Sequence, residues 1–215
     1  MALALLLWAA PLTPAARLLG LAAFALVVWV VQVRIAAHHP FDRFGLANGI
    51  TLVRAAGVGA LLAFAASPPA DAGTAWSVLG LSAGLIALDG LDGWAARRQG
   101  LASGFGARFD MEVDALAILA LAWLAVGLGK AGPWVLGLGL MRYAFLLAGL
   151  LAPRLSAPLP PSPRRKAVCV LQLLVLTALL APPLTPPVSG DLALLAFGAL
   201  AWSFATDLRW LAGRP

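Results

Sequence analysis

Long apolar runs, separated by short clusters of proline, glycine and charge, fill almost the whole chain. Runs near 17–36, 47–66, 74–92, 108–128, 133–152, 166–182 and 189–208 each come close to the ~20 mostly apolar residues that a bilayer-spanning helix needs. The pattern predicts an all-α, polytopic transmembrane bundle of seven helices and leaves no stretch for a separate soluble domain. Met1 to Ala10 is also apolar, but no basic segment precedes it and Arg17 arrives only after Pro11 and Pro14. It is therefore not expected to act as a cleaved leader. Small residues recur within the runs, as in Gly57-Val58-Gly59-Ala60 and Gly137-Leu138-Gly139, and suit close packing of helices.

The cations sort onto alternate connections. Arg34 and Arg43 precede the second run, Arg97, Arg98 and Arg108 lie between the third and fourth, and Arg154, Arg164, Arg165 and Lys166 lie between the fifth and sixth. Arg209 and Arg214 close the chain. The opposite connections, Ser67 to Gly73, Gly129 to Gly132 and Pro182 to Gly190, hold one basic residue among them, Lys130. Positive charge marks the cytoplasmic side, so the arginine-rich connections face inward and the N terminus faces outward. One false or missing helix would have scrambled this alternation.

Composition agrees: 62% of the residues are hydrophobic and 11% charged, with mean hydropathy +0.93, which is membrane usage. The formal charge of +6 comes from cations at the ends of apolar runs rather than on one polar face, which argues against nucleic-acid binding. Cys169 is the single cysteine, so no intrachain disulfide is possible, and its apolar neighbours make it a small packed side chain. His38 and His39 sit in a basic juxtamembrane segment and read as interfacial contacts, which leaves zinc without imidazole or thiolate ligands near the acidic residues.

The acidic residues are the anomaly. Asp89, Asp92, Asp110 and Asp114 fall within 26 residues, at the end of the third run and the start of the fourth. A carboxylate near hydrocarbon costs roughly 2.5 to 3.5 kcal/mol on the insertion scale, so four together require cationic partners. Asp89 and Asp92 are three apart and Asp110 and Asp114 four apart, so on helices each pair points to one side and the two helices can face each other. An all-oxygen set of this kind suits hard divalent cations such as Mg²⁺ or Mn²⁺. Gly93 and Ala96 extend the Asp89 face without bulk, leaving room for a ligand, and Arg97 is positioned to meet an anionic group. Glu112 lies about 200° around the helix from Asp110 and should turn away, towards Arg108 or Arg142. Arg142, near the middle of the fifth run, is either a functional group or half of an ion pair with a carboxylate such as Glu112.

Asp89, Asp92, Gly93, Ala96, Arg97, Gly106, Asp110 and Asp114 match the signature D-x2-D-G-x2-A-R-x8-G-x3-D-x3-D, and from about Asn48 onward the chain resembles the CDP-alcohol phosphatidyltransferases. Asn48, Thr51 and Arg54 are similar to the N-x2-T-x2-R that opens the preceding helix in that family. The resemblance implies a six-helix core with one added N-terminal helix, two divalent metal ions held by the four aspartates, and Asp114 also acting as general base. Asn48, Thr51, Arg54, Gly93, Ala96, Arg97 and Gly106 would then contact the nucleotide donor, and a homodimer is expected. Basic residues at the fifth and sixth runs, Arg142, Arg154, Arg164, Arg165 and Lys166, would hold the acceptor or its phosphate. Where the family usually has Gly-Lys, this chain has Arg165-Lys166. An anionic-lipid anchor would also account for that loop.

These readings divide the chain into an N-terminal element, 1–45, and a catalytic unit, 46–215. The expected reaction is transfer of a phosphatidyl group from CDP-diacylglycerol to an alcohol with release of CMP, at the cytoplasmic side of a bacterial inner membrane. A CDP-aminoalcohol is the alternative donor, and glycerol 3-phosphate, inositol phosphate, serine or another lipid alcohol are the open acceptors. An ion or proton transporter is the rival class. Clustering of the aspartates at helix ends, without a repeat relating two halves, favours the enzyme.

Overall fold

The computed structural model describes residues 2–38, 41, 43–99, 103–152, 159, 160 and 162–213. Within that set the chain is helical throughout: α1 (Ala2–Ala9), α2 (Pro14–His38), α3 (Gly45–Ala66), α4 (Ala72–Gln99), α5 (Gly104–Gly127), a short 3₁₀ turn (Pro133–Leu136), α6 (Gly137–Leu151), α7 (Pro163–Leu179) and α8 (Val188–Ala212). Each predicted run lies on a helix, and the ends shift for identifiable reasons. Proline is tolerated in the first turn, where its missing N–H has no partner to lose, so α2 and α7 begin at Pro14 and Pro163. Extension of α4 to Gln99, beyond the apolar run, carries the helix through the aspartate segment. Asp71 caps the start of α4, accepting from the Thr74 N–H at 2.8 Å, and Ser103 caps α5 by accepting from the Gly106 N–H at 3.0 Å.

Among the described residues, five helices are long and apolar enough to cross a membrane: Pro14–Ile35, Gly45–Ala66, Ala72–Leu91, Pro133–Leu151 and Val188–Ala212. The protein is an integral membrane protein built as a helical bundle. α5 and α7 fall outside that set because α5 carries Arg108, Asp110, Glu112 and Asp114 in its first half, while α7 has 17 residues and opens on Arg164, Arg165 and Lys166. Their position compensates. α5 packs against α2, α3, α6 and α7, which bury Phe105, Phe109 and Val113 between its polar residues and leave the Asp114 side chain 16% exposed.

Between membrane helices the apolar surroundings give no hydrophobic drive, and close van der Waals contact has to hold them. The core shows how. Ala60, Ala63, Ala120, Ala122 and Ala125 are fully buried where α3 and α5 meet their neighbours. At the α2–α3 crossing a Cβ on Gly20 would lie 2.6 Å from the Gly59 carbonyl oxygen, and one on Gly59 would lie 2.8 Å from the Gly20 oxygen. At the α5–α6 crossing a Cβ on Gly139 would come within 2.5 Å of the Leu119 Cα. Lys130, the lone cation of the cation-poor connections, has a structural task. Its ammonium donates to the carbonyls of Ala181, Pro182 and Leu184 at 3.0, 3.2 and 2.7 Å, tying the α5–α6 and α7–α8 connections together. Burial holds its pKa below the ordinary lysine value.

Candidate functional site

Three of the four aspartates converge. Asp110 and Asp114, one helical turn apart on α5, face Asp89 on α4, and one carboxylate oxygen from each lies within 4.8 Å of the other two. Arg54 rises between them from α3, with only 4% of its side chain exposed. Its guanidinium is 2.7 Å from Asp89 Oδ1 and donates to Oδ1 of both Asp110 and Asp114. Three carboxylates against one guanidinium leave two formal negative charges in a half-buried setting. That deficit, an all-oxygen donor set and oxygen separations below 5 Å fit a hard divalent cation. Arg54 thus meets the carboxylates directly, where a contact to the donor was expected of it. The side chains of Asp92, Gly93, Ala96 and Arg97 lie outside the described residues, as do His39, Arg154 and the side chain of His38.

The other residues expected at the donor serve the frame in this structure. Asn48 donates to the Phe44 carbonyl at 2.6 Å and Thr51 to the Ala47 carbonyl at 3.1 Å, both within α3. Gly106 lets α5 approach α3, since a Cβ there would stand 2.9 Å from Asn48 Oδ1.

The carboxylates form one wall of a cavity of about 660 Å³ between α4, α5, α6, α7 and α8. This is the size range of sites that bury a small organic ligand. Asp89, Asp110 and Asp114 share the lining with Arg142, Arg165 and Lys166, and Ile118, Leu138, Phe145, Leu146 and Leu200 supply apolar surface. Cys169 lines the same space, its Sγ 3.7 Å from Asp114 Oδ2. It is packed against the acidic cluster instead of among purely apolar neighbours. Arg142 both lines the cavity and pairs with Glu112, which turns away from the three aspartates as its position on the helix requires.

A second ionic group was not anticipated. Asp207 on α8, 8% exposed, accepts from Arg164 and, at 3.1 Å, from Arg165. Arg164 also donates to the Ser203 carbonyl at 2.9 Å, and Arg165 to the Pro160 carbonyl. One buried carboxylate therefore orients both arginines of the α7 N terminus, and Lys166 is left lining the cavity beside them. The only sequence signal was an acidic residue near the end of an apolar run.

Fold and site together define a polytopic membrane protein with an acidic centre, suited to divalent cations, on a ligand-sized cavity that basic residues also line. The chain belongs to the CDP-alcohol phosphatidyltransferase family, whose profile matches residues 44–207. Membership carries the general activity, transfer of a phosphate-linked group from a CDP-alcohol in lipid biosynthesis. α1 and α2 precede the matched stretch. Comparison with curated proteins and with solved structures returns no match.

Proposed function

We propose that the chain transfers the phosphatidyl group of CDP-diacylglycerol to a small alcohol and releases CMP, using two divalent metal ions, Mg²⁺ or Mn²⁺, held by Asp89, Asp92, Asp110 and Asp114. The observation that carries this reading is the convergence of three carboxylates on one cavity wall, in a chain of this family. When bound, the metals would offset the charge of the pyrophosphate and of the departing CMP oxygen. The remaining roles belong to the chain's own groups. Arg54 holds the three carboxylates together. Asp114, which lines the cavity, accepts the proton of the acceptor hydroxyl as that oxygen bonds to the phosphatidyl phosphorus and the bond from phosphorus to the CMP oxygen breaks. No covalent enzyme intermediate is required.

Arg165 and Lys166 in the cavity lining favour an acceptor that carries its own negative charge, with glycerol 3-phosphate and inositol phosphate ahead of serine. Exposed apolar side chains such as Leu146 on the cavity wall favour a lipid donor over a CDP-aminoalcohol. We assign the site to the cytoplasmic side of a bacterial inner membrane on the distribution of cations. Residues 1–45 are an added N-terminal element on a catalytic unit of 46–215, which acts as a homodimer. The test is to incubate the purified protein with CDP-diacylglycerol and each alcohol in turn and weigh the lipid products. A product with a phosphorylated acceptor supports the reading. Turnover only with CDP-aminoalcohol and diacylglycerol would reverse the donor assignment, and no product with any pair would overturn the reading.

A further inference from the structure

Besides Arg165, which is paired with Asp207, α7 brings three polar residues to the cavity lining: Lys166, Cys169 and Gln172. The first two have evident surroundings, Lys166 beside Arg165 and Cys169 against Asp114. Gln172 does not. It is 3% exposed, and its Nε2 is buried without a hydrogen-bond partner among the described residues. Buried polar atoms in folded proteins are nearly always satisfied, so an unpaired amide donor on a residue that lines a cavity points to a partner that arrives with the ligand. The next buried polar side chain along α7, Thr177, is already paired with Ser82 at 2.5 Å and cannot supply one.

Placement indicates the kind of atom. At 1.5 Å per residue, Gln172 stands roughly 4.5 Å further along the α7 axis than Cys169, away from the arginines at the helix start. Ile118 and Leu138 line the same cavity, and a neutral amide is a weak competitor for phosphate beside Arg165 and Lys166. The chemistry that an amide N–H satisfies in such surroundings is an uncharged oxygen. We infer that Gln172 is a substrate-binding residue of the cavity, donating its amide N–H to a hydroxyl or ester carbonyl oxygen of the bound substrate. A hydroxyl would belong to the alcohol acceptor and an ester carbonyl to the lipid donor. This rests on the reading that the cavity holds a CDP-alcohol and its acceptor. It also makes Gln172 a determinant of specificity, because a site with a buried donor rejects an analogue lacking the matching oxygen.

The test is Gln172→Met, which keeps length and volume and removes the donor, compared with the unchanged protein in detergent. Substrates are CDP-diacylglycerol and whichever of glycerol 3-phosphate, inositol phosphate or serine supports turnover. The expected result is an unchanged thermal midpoint without substrate, kcat within about threefold, and a KM raised roughly tenfold for one substrate only. A rise for the alcohol identifies a hydroxyl, and a rise for the donor identifies an ester carbonyl. If turnover is too low for a KM, the rise in midpoint on adding each substrate is read instead, and a smaller rise for one of them is the expected result. A lowered midpoint without substrate would give Gln172 a structural partner and overturn the inference, as would KM values or midpoint shifts matching those of the unchanged protein. Absence of CMP release by the unchanged protein is a separate outcome, which overturns the functional reading and the inference with it.

Discussion

Replacing Arg54 with methionine removes the one described cation that holds Asp89, Asp110 and Asp114 together. The side chain is 4% exposed, so the three carboxylates cannot recruit water in its place without opening the α3–α5 contact. Removing one partner of a buried ion pair costs about 3 to 5 kcal/mol. With 36% of the Asp110 side chain exposed, the lower end applies, about 3 kcal/mol. For a chain of this size that lowers the thermal midpoint by roughly 6 to 12 °C. The variant also exposes three formal negative charges to an incoming cation where the native cluster exposes two. Divalent metal should therefore recover more stability in Arg54→Met than in the native protein. A cation at a hundred times its Kd restores about 2.7 kcal/mol. The assay is thermal unfolding in detergent, with EDTA and then with a Mg²⁺ series. A variant as stable as the native protein in EDTA, or one with no larger Mg²⁺ response, would refute the placement of Arg54 as counter-ion.

Asp114→Asn should retain the fold and lose at least a hundredfold in CMP release, as expected for loss of a general base; near-native turnover would remove Asp114 from the chemistry. Lys130→Met should cost about 2 to 3 kcal/mol, since three inward-facing carbonyls lose their donor, while kcat measured below the unfolding transition stays unchanged. Gly139→Ala should destabilise by about 1 to 3 kcal/mol through overpacking against Leu119, seen as a lower midpoint with an unaltered metal response.

The helices were legible because hydrocarbon demands long apolar stretches, and five of them among the described residues have the length and apolarity of a span. The ends were less so: α4 runs on to Gln99, past the end of the apolar run that marked it. Asp110 and Asp114 stood out from an offset of four, which places them on one helix face, and Asp89 from its membership of the same acidic cluster near hydrocarbon. Arg54 was singled out for a different task, because the pairing that defines it crosses 56 residues to Asp110 and 60 to Asp114. Asp207 escaped notice for the same reason, its arginines lying 42 and 43 residues away. Glu112 and Arg142 form the ion pair that the helix geometry allowed. The unpaired amide of Gln172 has no sequence signature at all, because an unmet hydrogen bond exists only once neighbouring helices have enclosed it.

The most direct measurement is the yield of CMP from CDP-diacylglycerol and an accepting alcohol, taken with the metal stripped by EDTA and then with Mg²⁺ or Mn²⁺ returned. The account predicts no CMP in EDTA, and on return of metal one CMP for each molecule of lipid product. CMP release at full rate in EDTA, or none under any metal with any CDP-alcohol, would contradict it.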